Sequence, residues 1–520
     1  MTTASRPILV PELPAHHAET RGDFVAVQLD NQSLSYAKLT DRAVVVAGLL
    51  QAMGAKPHDR VVWIGRTSLA YFELLLGATY VRACLTPINN RLAPPEVGFI
   101  LEDSDATLVF VTPQYFATVE TLVRAMTRPM VVVAVDGEHP GFESYAALMA
   151  AGRAGRREPT RPEDDIIQLY TSGTTGLPKG VRLTNANYGY LTQAVAKLPG
   201  FRFEANETAL CVMPLFHVAG VNYSVCSLAA GSRLLLLPEF SPGDVIRLIE
   251  TERVAHVFLV PAMILMMLQA PEIEGADLSS LKSVSYGASP ISEAVLAEAQ
   301  ARFGCGFVQF YGMTETTGCG TTLQPDEHTG ERMRSCGAAF PGIEVRIQND
   351  DGHALPPGEI GEIAIKGPAI MTGYWKREEA TRNTISADGW LRTGDAGYRN
   401  EAGFFFVHDR VKDMIVSGGE NIYPAEVENA IHGCPGVADV AVIGIPSAKW
   451  GEEVKAIVVS KPGETPSPDA IMIWARERIA GFKAPKTITF IDALPRNASG
   501  KILRRELRKP YWEGHNRGVA

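Results

Sequence analysis

Leu169-Tyr-Thr-Ser-Gly-Thr-Thr-Gly-Leu-Pro-Lys-Gly-Val181 sets a cluster of Ser/Thr hydroxyls, glycines and one lysine between two β-like runs. Glycines at 173, 176 and 180 let the backbone approach a polyanion closely. Thr171, Ser172, Thr174 and Thr175 offer hydroxyl donors, and Lys179 adds a charge. This is the composition of a phosphate-holding loop, though not of a Walker A loop. There the lysine follows glycine and precedes Ser/Thr at a helix start, whereas Lys179 follows Pro178 and precedes Gly180. A plain Gly/Thr-rich turn between strands has a similar composition, so the rest of the chain must decide.

Outward from this loop, the bulk properties narrow the class. A chain of 520 residues is too long for one hydrophobic core, so a large domain with a smaller one is expected. An apolar fraction of 46% with 21% charged residues is that of an ordinary soluble enzyme. A net charge of -9 argues against a nucleic-acid binder, but not against a free nucleotide caught by local donors. The seven cysteines are scattered and never spaced CxxC, which indicates neither a disulfide framework nor a zinc site and fits a reducing cytoplasm. No secretory or peroxisomal signal is read at either end. The apolar run 254–268 is broken by His256 and Pro261 and reads as a buried strand followed by a helix, not a membrane span.

Residues 34–112 alternate helix (35–54), strand (60–64), helix (69–82), strand (84–88), helix (94–103) and strand (107–111), the rhythm of βαβ units with a mostly parallel sheet. Residues 150–165, rich in Arg, Gly, Pro and acids, read as an exposed linker. Alternating runs between 337 and 394 indicate a small β-rich subdomain. The expected fold is α/β: a large N-terminal domain (1–410) of βαβ-type layered sheets plus that subdomain, and a small mobile α+β C-terminal domain (411–520).

Further stretches carry chemistry-bearing residues: Met213-Pro-Leu-Phe-His-Val-Ala-Gly-Val-Asn222, Val284-Ser-Tyr-Gly-Ala-Ser-Pro290, Gln309-Phe-Tyr-Gly-Met-Thr-Glu-Thr-Thr317, Gly389-Trp-Leu-Arg-Thr-Gly-Asp395 and Leu494-Pro-Arg-Asn-Ala-Ser-Gly-Lys-Ile502. Taken singly, several have a plain reading. His217 is a core histidine beside Phe216, Ser289 caps a helix from Pro290, and Asp395 forms an Asx turn. A carboxylate in the apolar string around Glu315 is costly to bury alone and hints at a cation.

In this order, and with the loop at 169–181, these stretches resemble the motifs of the adenylate-forming superfamily: acyl-CoA synthetases, peptide-synthetase adenylation domains and firefly-type luciferases. The resemblance spans nearly the whole chain. It implies a role for Thr171, Ser172, Gly173, Thr174, Thr175 and Lys179 on the ATP phosphates, and a place against adenine for Gly287, Ala288 and Ser289. Tyr311 would stack on the base, with Gly312 and Met313 beside it. Thr314 would bond an α-phosphate oxygen, and Glu315 with Thr171 would hold Mg²⁺. Asp395 would accept the ribose hydroxyls, and Arg410 would contact ribose or phosphate. His217, Val218, Val221, Asn222, Tyr223 and Gly318 would form the acyl pocket.

Lys412, in Val407-His-Asp-Arg-Val-Lys-Asp-Met-Ile-Val-Ser-Gly-Gly-Glu-Asn-Ile-Tyr423, aligns with the hinge. Gly418 and Gly419 would line the pantetheine tunnel, and Trp450, Phe482 and Lys486 fall where relatives contact CoA. Lys501 would be the catalytic lysine.

The implied activity is an AMP-forming acyl-CoA synthetase with ATP, Mg²⁺ and CoA, a small carboxylic acid as partner, and a homodimer left open. Gly418-Gly-Glu-Asn-Ile-Tyr-Pro-Ala-Glu426 and Asn90-Arg-Leu-Ala-Pro-Pro-Glu96 look most like bacterial fatty-acyl-CoA ligases, which favours a medium- or long-chain acid. Pocket positions without Arg or Lys disfavour a dicarboxylate. Aryl and arylpropenoate ligases share much of the pattern, and a carrier-protein-loading ligase would form the same adenylate. Peptide-synthetase domains usually carry Phe-Asp where this chain has Phe216-His217, which disfavours an amino acid. A luciferase-like oxygenase shares these motifs, whereas a non-catalytic descendant would be expected to have lost Lys501, Glu315 or Asp395.

Overall fold

Short apolar runs bounded by turn residues form the strands, and one largely apolar helix lies between two sheets. Helix Leu69–Tyr80 starts at Ser68, whose hydroxyl accepts the Ala70 amide, and buries all but its first residue. It contacts strand Val25–Leu29 of one sheet and strands Cys84–Pro87 and Asp165–Thr171 of the other. A helix this apolar requires such a double cover, and its one carboxylate, Glu73, is paired with Arg42. The computed structural model describes residues 8–513 except 172–177, 290, 411–412, 418–419, 448–449, 480 and 498–499, and omits the side chains of 408–410, 416, 420 and 421.

The first sheet has nine strands, running Ala338–Ala339, Thr321–Leu323, Gly306–Tyr311, Ser283–Gly287, Val254–Leu259, Thr208–Cys211, Arg233–Leu236, Val25–Leu29, Gln32–Ser35. Its inner strands are parallel and its margins antiparallel. The second has eight, parallel through Cys84–Pro87, Arg60–Ile64, Leu108–Val111 and Val131–Ala134. It ends in the antiparallel ladder of Asp165–Thr171, Lys179–Thr184 and Gly373–Tyr374. Tyr36, Tyr71, Phe72 and Tyr188 are fully buried in the main core.

Strands Glu344–Gln348, Gly361–Lys366, Leu391–Arg399 and Phe405–Arg410 make an antiparallel sheet, the expected β-rich subdomain. The C-terminal part forms its own sheet from Ile415–Ser417, Glu420–Ile422, Val437–Ser447, Gly451–Ser460 and Thr487–Phe490. Its separate core includes Ile415, Val427, Ile431, Val442, Val454 and Ile471. Among the described residues, no helix is long and apolar enough to cross a membrane.

Two local expectations are corrected. The helix after the Val284 segment is Glu293–Phe303, capped by Ser292, whose hydroxyl accepts the Val295 amide; Ser289 does not cap it. The linker expected to be exposed through 165 is buried at its end. Asp164 takes two bonds from Arg82, at 2.7 and 2.8 Å, and Asp165 is shared by Arg60 and Arg182, each at 2.8 Å. These carboxylates enter the interior because each is paired. Arg153, Arg156, Arg157 and Arg161 stay exposed, as expected of a solvated loop.

Candidate active site

In a parallel sheet, loops gather at the carboxyl ends of the strands, and ligands bind there. The carboxyl end of Thr208–Cys211 leads through Met213 and Pro214 to His217, which opens helix Val218–Ala230. A Cβ on Gly220 would lie 2.3 Å from the Pro214 carbonyl oxygen, so only glycine lets the first helical turn press on the incoming chain. The His217 Nε2 is buried with no hydrogen-bond partner among the described residues. Burial, and secondarily the nearby Arg91 charge, push its pKa down to about 4, so the imidazole is neutral near pH 7.

Two strands along, Ser283–Gly287 ends against Gly306–Tyr311. A Cβ on Gly287 would meet the Phe310 carbonyl oxygen at 2.4 Å, and Ala288 follows with φ +68. Tyr311, Gly312 and Met313 run into the tight turn Thr314–Thr316, tied by Thr316, whose hydroxyl accepts the Met313 amide at 3.0 Å and donates to its carbonyl at 3.1 Å. Asn222 Nδ2 donates to the Thr317 carbonyl at 2.7 Å, and a Cβ on Gly318 would meet that same nitrogen at 2.8 Å. This joins the start of the Val218 helix to the Glu315 turn.

The second sheet reaches the same place. Thr171 pairs with Lys179 at the end of the ladder, on either side of the loop expected to hold phosphate. Lys179 Nζ lies 5.1 Å from the ring centre of Tyr374, and the Tyr374 hydroxyl donates to Glu315 Oε1 at 2.8 Å. Glu315 is buried at 5% exposure, and its own carbonyl accepts the Met371 amide at 2.9 Å. Tyr374 was not foreseen from the sequence. Its only signal was its place in Gly373-Tyr-Trp375, a run that pairs with Lys179–Thr184.

The third sheet supplies Asp395, whose Oδ2 accepts the Tyr311 hydroxyl at 2.8 Å. Burial and the Asp395 charge hold the Tyr311 phenol well above its ordinary pKa, so it remains a donor. Arg410 stands opposite Asp395 in the ladder, its side chain lying outside the described residues.

The C-terminal part arrives at Gly500. With φ +78, its Cα approaches so closely that a Cβ would lie 2.8 Å from Val260 Cγ2, just past the carboxyl end of Val254–Leu259. Lys501 follows, its amide bonded to Asn497 Oδ1 at 2.9 Å. Trp450 and Phe482 are 42% and 45% exposed. Lys486 donates its amide to the Val454 carbonyl and its Nζ to Gly481, all near the start of strand Gly451–Ser460. Ser172, Gly173, Thr174, Thr175, Lys412, Gly418 and Gly419 lie outside the described residues.

Among the described residues, no group of three or more His, Cys, Asp or Glu could cage a metal. One buried carboxylate, Glu315, fits a different arrangement, a Mg²⁺ that would arrive on nucleotide phosphates and take few protein ligands.

The AMP-binding enzyme family model matches residues 14–375, and the AMP-binding enzyme C-terminal domain model matches residues 426–501. The chain is 39% identical over 509 residues to the fatty acid--[acyl-carrier-protein] ligase ScoC of Streptomyces coeruleorubidus, covering 97% of this chain and 96% of that protein. It is 39% identical over 503 residues to a feruloyl-CoA synthase of Amycolatopsis sp, covering 96% and 98%. Among solved structures, ATP-bound MatB from Rhodopseudomonas palustris superposes with a TM-score of 0.88 at 29% identity, over 97% of this chain and 100% of that one. With both models matched in order and the fold shared end to end, this chain belongs to the AMP-binding enzyme family, as an adenylate-forming enzyme of the acyl-CoA ligase group.

Proposed function

We propose that the protein joins a carboxylic acid to CoA in two steps, with ATP cleaved to AMP and pyrophosphate. First an acid oxygen attacks the α-phosphorus of MgATP, forming the acyl-phosphate bond as the bond to pyrophosphate breaks. The CoA thiol then attacks the acyl carbonyl, forming the thioester and releasing AMP. The observation that carries this reading is the gathering, beyond the carboxyl ends of the first sheet's strands, of the paired Thr171 and Lys179, the Tyr374-held Glu315, the Tyr311 to Asp395 bond and Gly500 against Val260.

In this reading Lys501, Thr314, Lys179 and the hydroxyls of the 171–175 loop hold negative charge as it grows on the phosphoryl oxygens. Glu315 and Thr171 would hold the Mg²⁺, which supplies positive charge to the leaving pyrophosphate. Asp395 and Arg410 orient the ribose, while Gly287, Ala288, Ser289, Tyr311, Gly312 and Met313 cradle the base. The domain boundary falls at 410 to 411, and rotation about Lys412 exchanges Lys501 for a thiol path along Gly418 and Gly419, with Trp450, Phe482 and Lys486 on the CoA nucleotide.

A specific observation favours a compact acid over the medium- or long-chain fatty acid expected from the sequence. His217, Val218 and Asn222 are partly open, but Tyr223 to Leu228 are all buried. Tyr223 is ringed by Phe201, Phe203 and Phe258, with centroids 6.1, 5.3 and 6.3 Å away. The helix thus leaves its first turn and Asn222 partly open and closes from Tyr223 to Leu228, which favours an aryl body over an extended alkyl chain. The expected result is higher kcat/KM on benzoate- or cinnamate-like acids than on dodecanoate. Equal or better turnover of dodecanoate would return the reading to fatty acids. Thioester formed only on a phosphopantetheine-bearing carrier protein, and not on CoA, would replace the acceptor.

A further inference from the structure

We infer that Arg496 is a positioning residue that holds the Lys501 loop in shape for adenylate formation, and that Asp439 fixes Arg496 in that role. The inference rests on the proposed role of Lys501. The Arg496 guanidinium is a two-pronged brace: Nη1 donates to the Gly500 carbonyl at 2.8 Å, and Nη2 to Asp439 Oδ2 at 2.6 Å. Asp439 is itself held, its Oδ1 accepting the Val440 amide at 2.9 Å and facing His432 Nε2 at 3.8 Å. The Arg496 and Asp439 side chains are 24% and 18% exposed, which places the pair away from the freely solvated setting where ion pairs contribute little.

The backbone explains why a brace is needed there. Arg496 and Ile502 form an isolated antiparallel bridge, and the Leu503 amide bonds the Pro495 carbonyl at 2.8 Å, closing the base of the loop. Its far end turns at Gly500, where φ +78 swings the carbonyl back toward Arg496 while the Cα presses on Val260. The group fixed by Arg496 is thus the peptide immediately before Lys501, on the side facing the active-site edge. Arginine suits the task because its planar fork offers two donors in fixed directions, whereas lysine presents one point charge on a flexible stem. Brace and loop both belong to the C-terminal part, so the brace would travel with it. It would matter for chemistry only when Lys501 is delivered to the phosphate.

The test measures two reactions on the full chain: pyrophosphate release from acid and MgATP without CoA, and thioester formation from supplied acyl-AMP and CoA. Arg496→Met is expected to lower the single-turnover rate constant of the first about tenfold or more, because small misplacements of a charge-stabilising group are amplified in rate. The acid and ATP concentrations that half-saturate this rate should stay within about twofold of wild type, and the second reaction should be nearly unchanged. Arg496→Lys should recover part of the loss. Asp439→Leu should match Arg496→Met, and the double variant should be no worse than either, as for groups acting as one unit.

Unchanged adenylation in Arg496→Met would overturn the brace, as would equal losses in both reactions with a lowered melting temperature. Lys501→Ala is run beside them. If it abolishes adenylation while Arg496→Met does not, the brace alone falls; if it spares adenylation, the role of Lys501 falls and the brace with it.

Discussion

Glu315 shows how one side chain is shaped by partners distant in sequence. Its carboxylate is buried at 5% exposure and accepts the Tyr374 hydroxyl, while Lys179 sits over that tyrosine ring. Tyr374 therefore helps to aim the carboxylate. Glu315→Gln is expected to lower pyrophosphate release about a hundredfold, the scale of losing one preorganised electrostatic group, and Tyr374→Phe only several-fold. A Tyr374→Phe variant as damaged as Glu315→Gln would mean that the hydroxyl does more than orient.

His217 makes a second residue-scale prediction. Its folded pKa near 4 lies below the ordinary 6.5, so the unfolded chain binds the extra proton first. The stability tied to neutral His217 is full above pH 6.5 and is lost as pH falls toward 4. Wild type should lose more melting temperature between pH 7 and pH 5 than His217→Gln, by about 2 °C or more. Parallel losses would contradict the burial argument.

At the scale of elements, the glycine positions set how closely strands and loops approach. Gly287→Ala would push a Cβ to 2.4 Å from the Phe310 carbonyl, between two strands that both end at the proposed nucleotide site. It should cost roughly 1–3 kcal/mol of stability, as overpacking does, and raise KM for ATP; unchanged values would mean that the strand ends adjust freely. Elements of this kind were legible beforehand wherever a local signal bounded them. Arg60–Ile64 and Pro94–Asp103 fall where apolar run and turn residues place them. The cap before Glu293–Phe303 was misplaced because Pro290, three residues early, carries the usual signal of a helix start.

The motif residues could be named from their strings, but their partners could not. The Tyr374 to Glu315 bond spans 59 positions, Asn222 to Thr317 spans 95, and Arg496 to Asp439 spans 57. Such pairs are made by topology, and no local pattern encodes them. The ring cluster around Tyr223 was hidden for the same reason, since its members come from separate elements.

For the molecule as a whole, the account requires two reactions at one edge, served in turn by different faces of a C-terminal part with its own sheet and core. Gly419→Leu should then spare pyrophosphate release while slowing thioester formation, because it obstructs only the proposed thiol path; unchanged CoA turnover would remove that path. The most direct test of the central claim is pyrophosphate and AMP release with MgATP across straight-chain, branched and aromatic acids, each with and without CoA. The account predicts rapid turnover only when CoA is present, strongest on a compact aromatic acid. An adenylate that forms but is never discharged by CoA, or no pyrophosphate release with any acid, would contradict it.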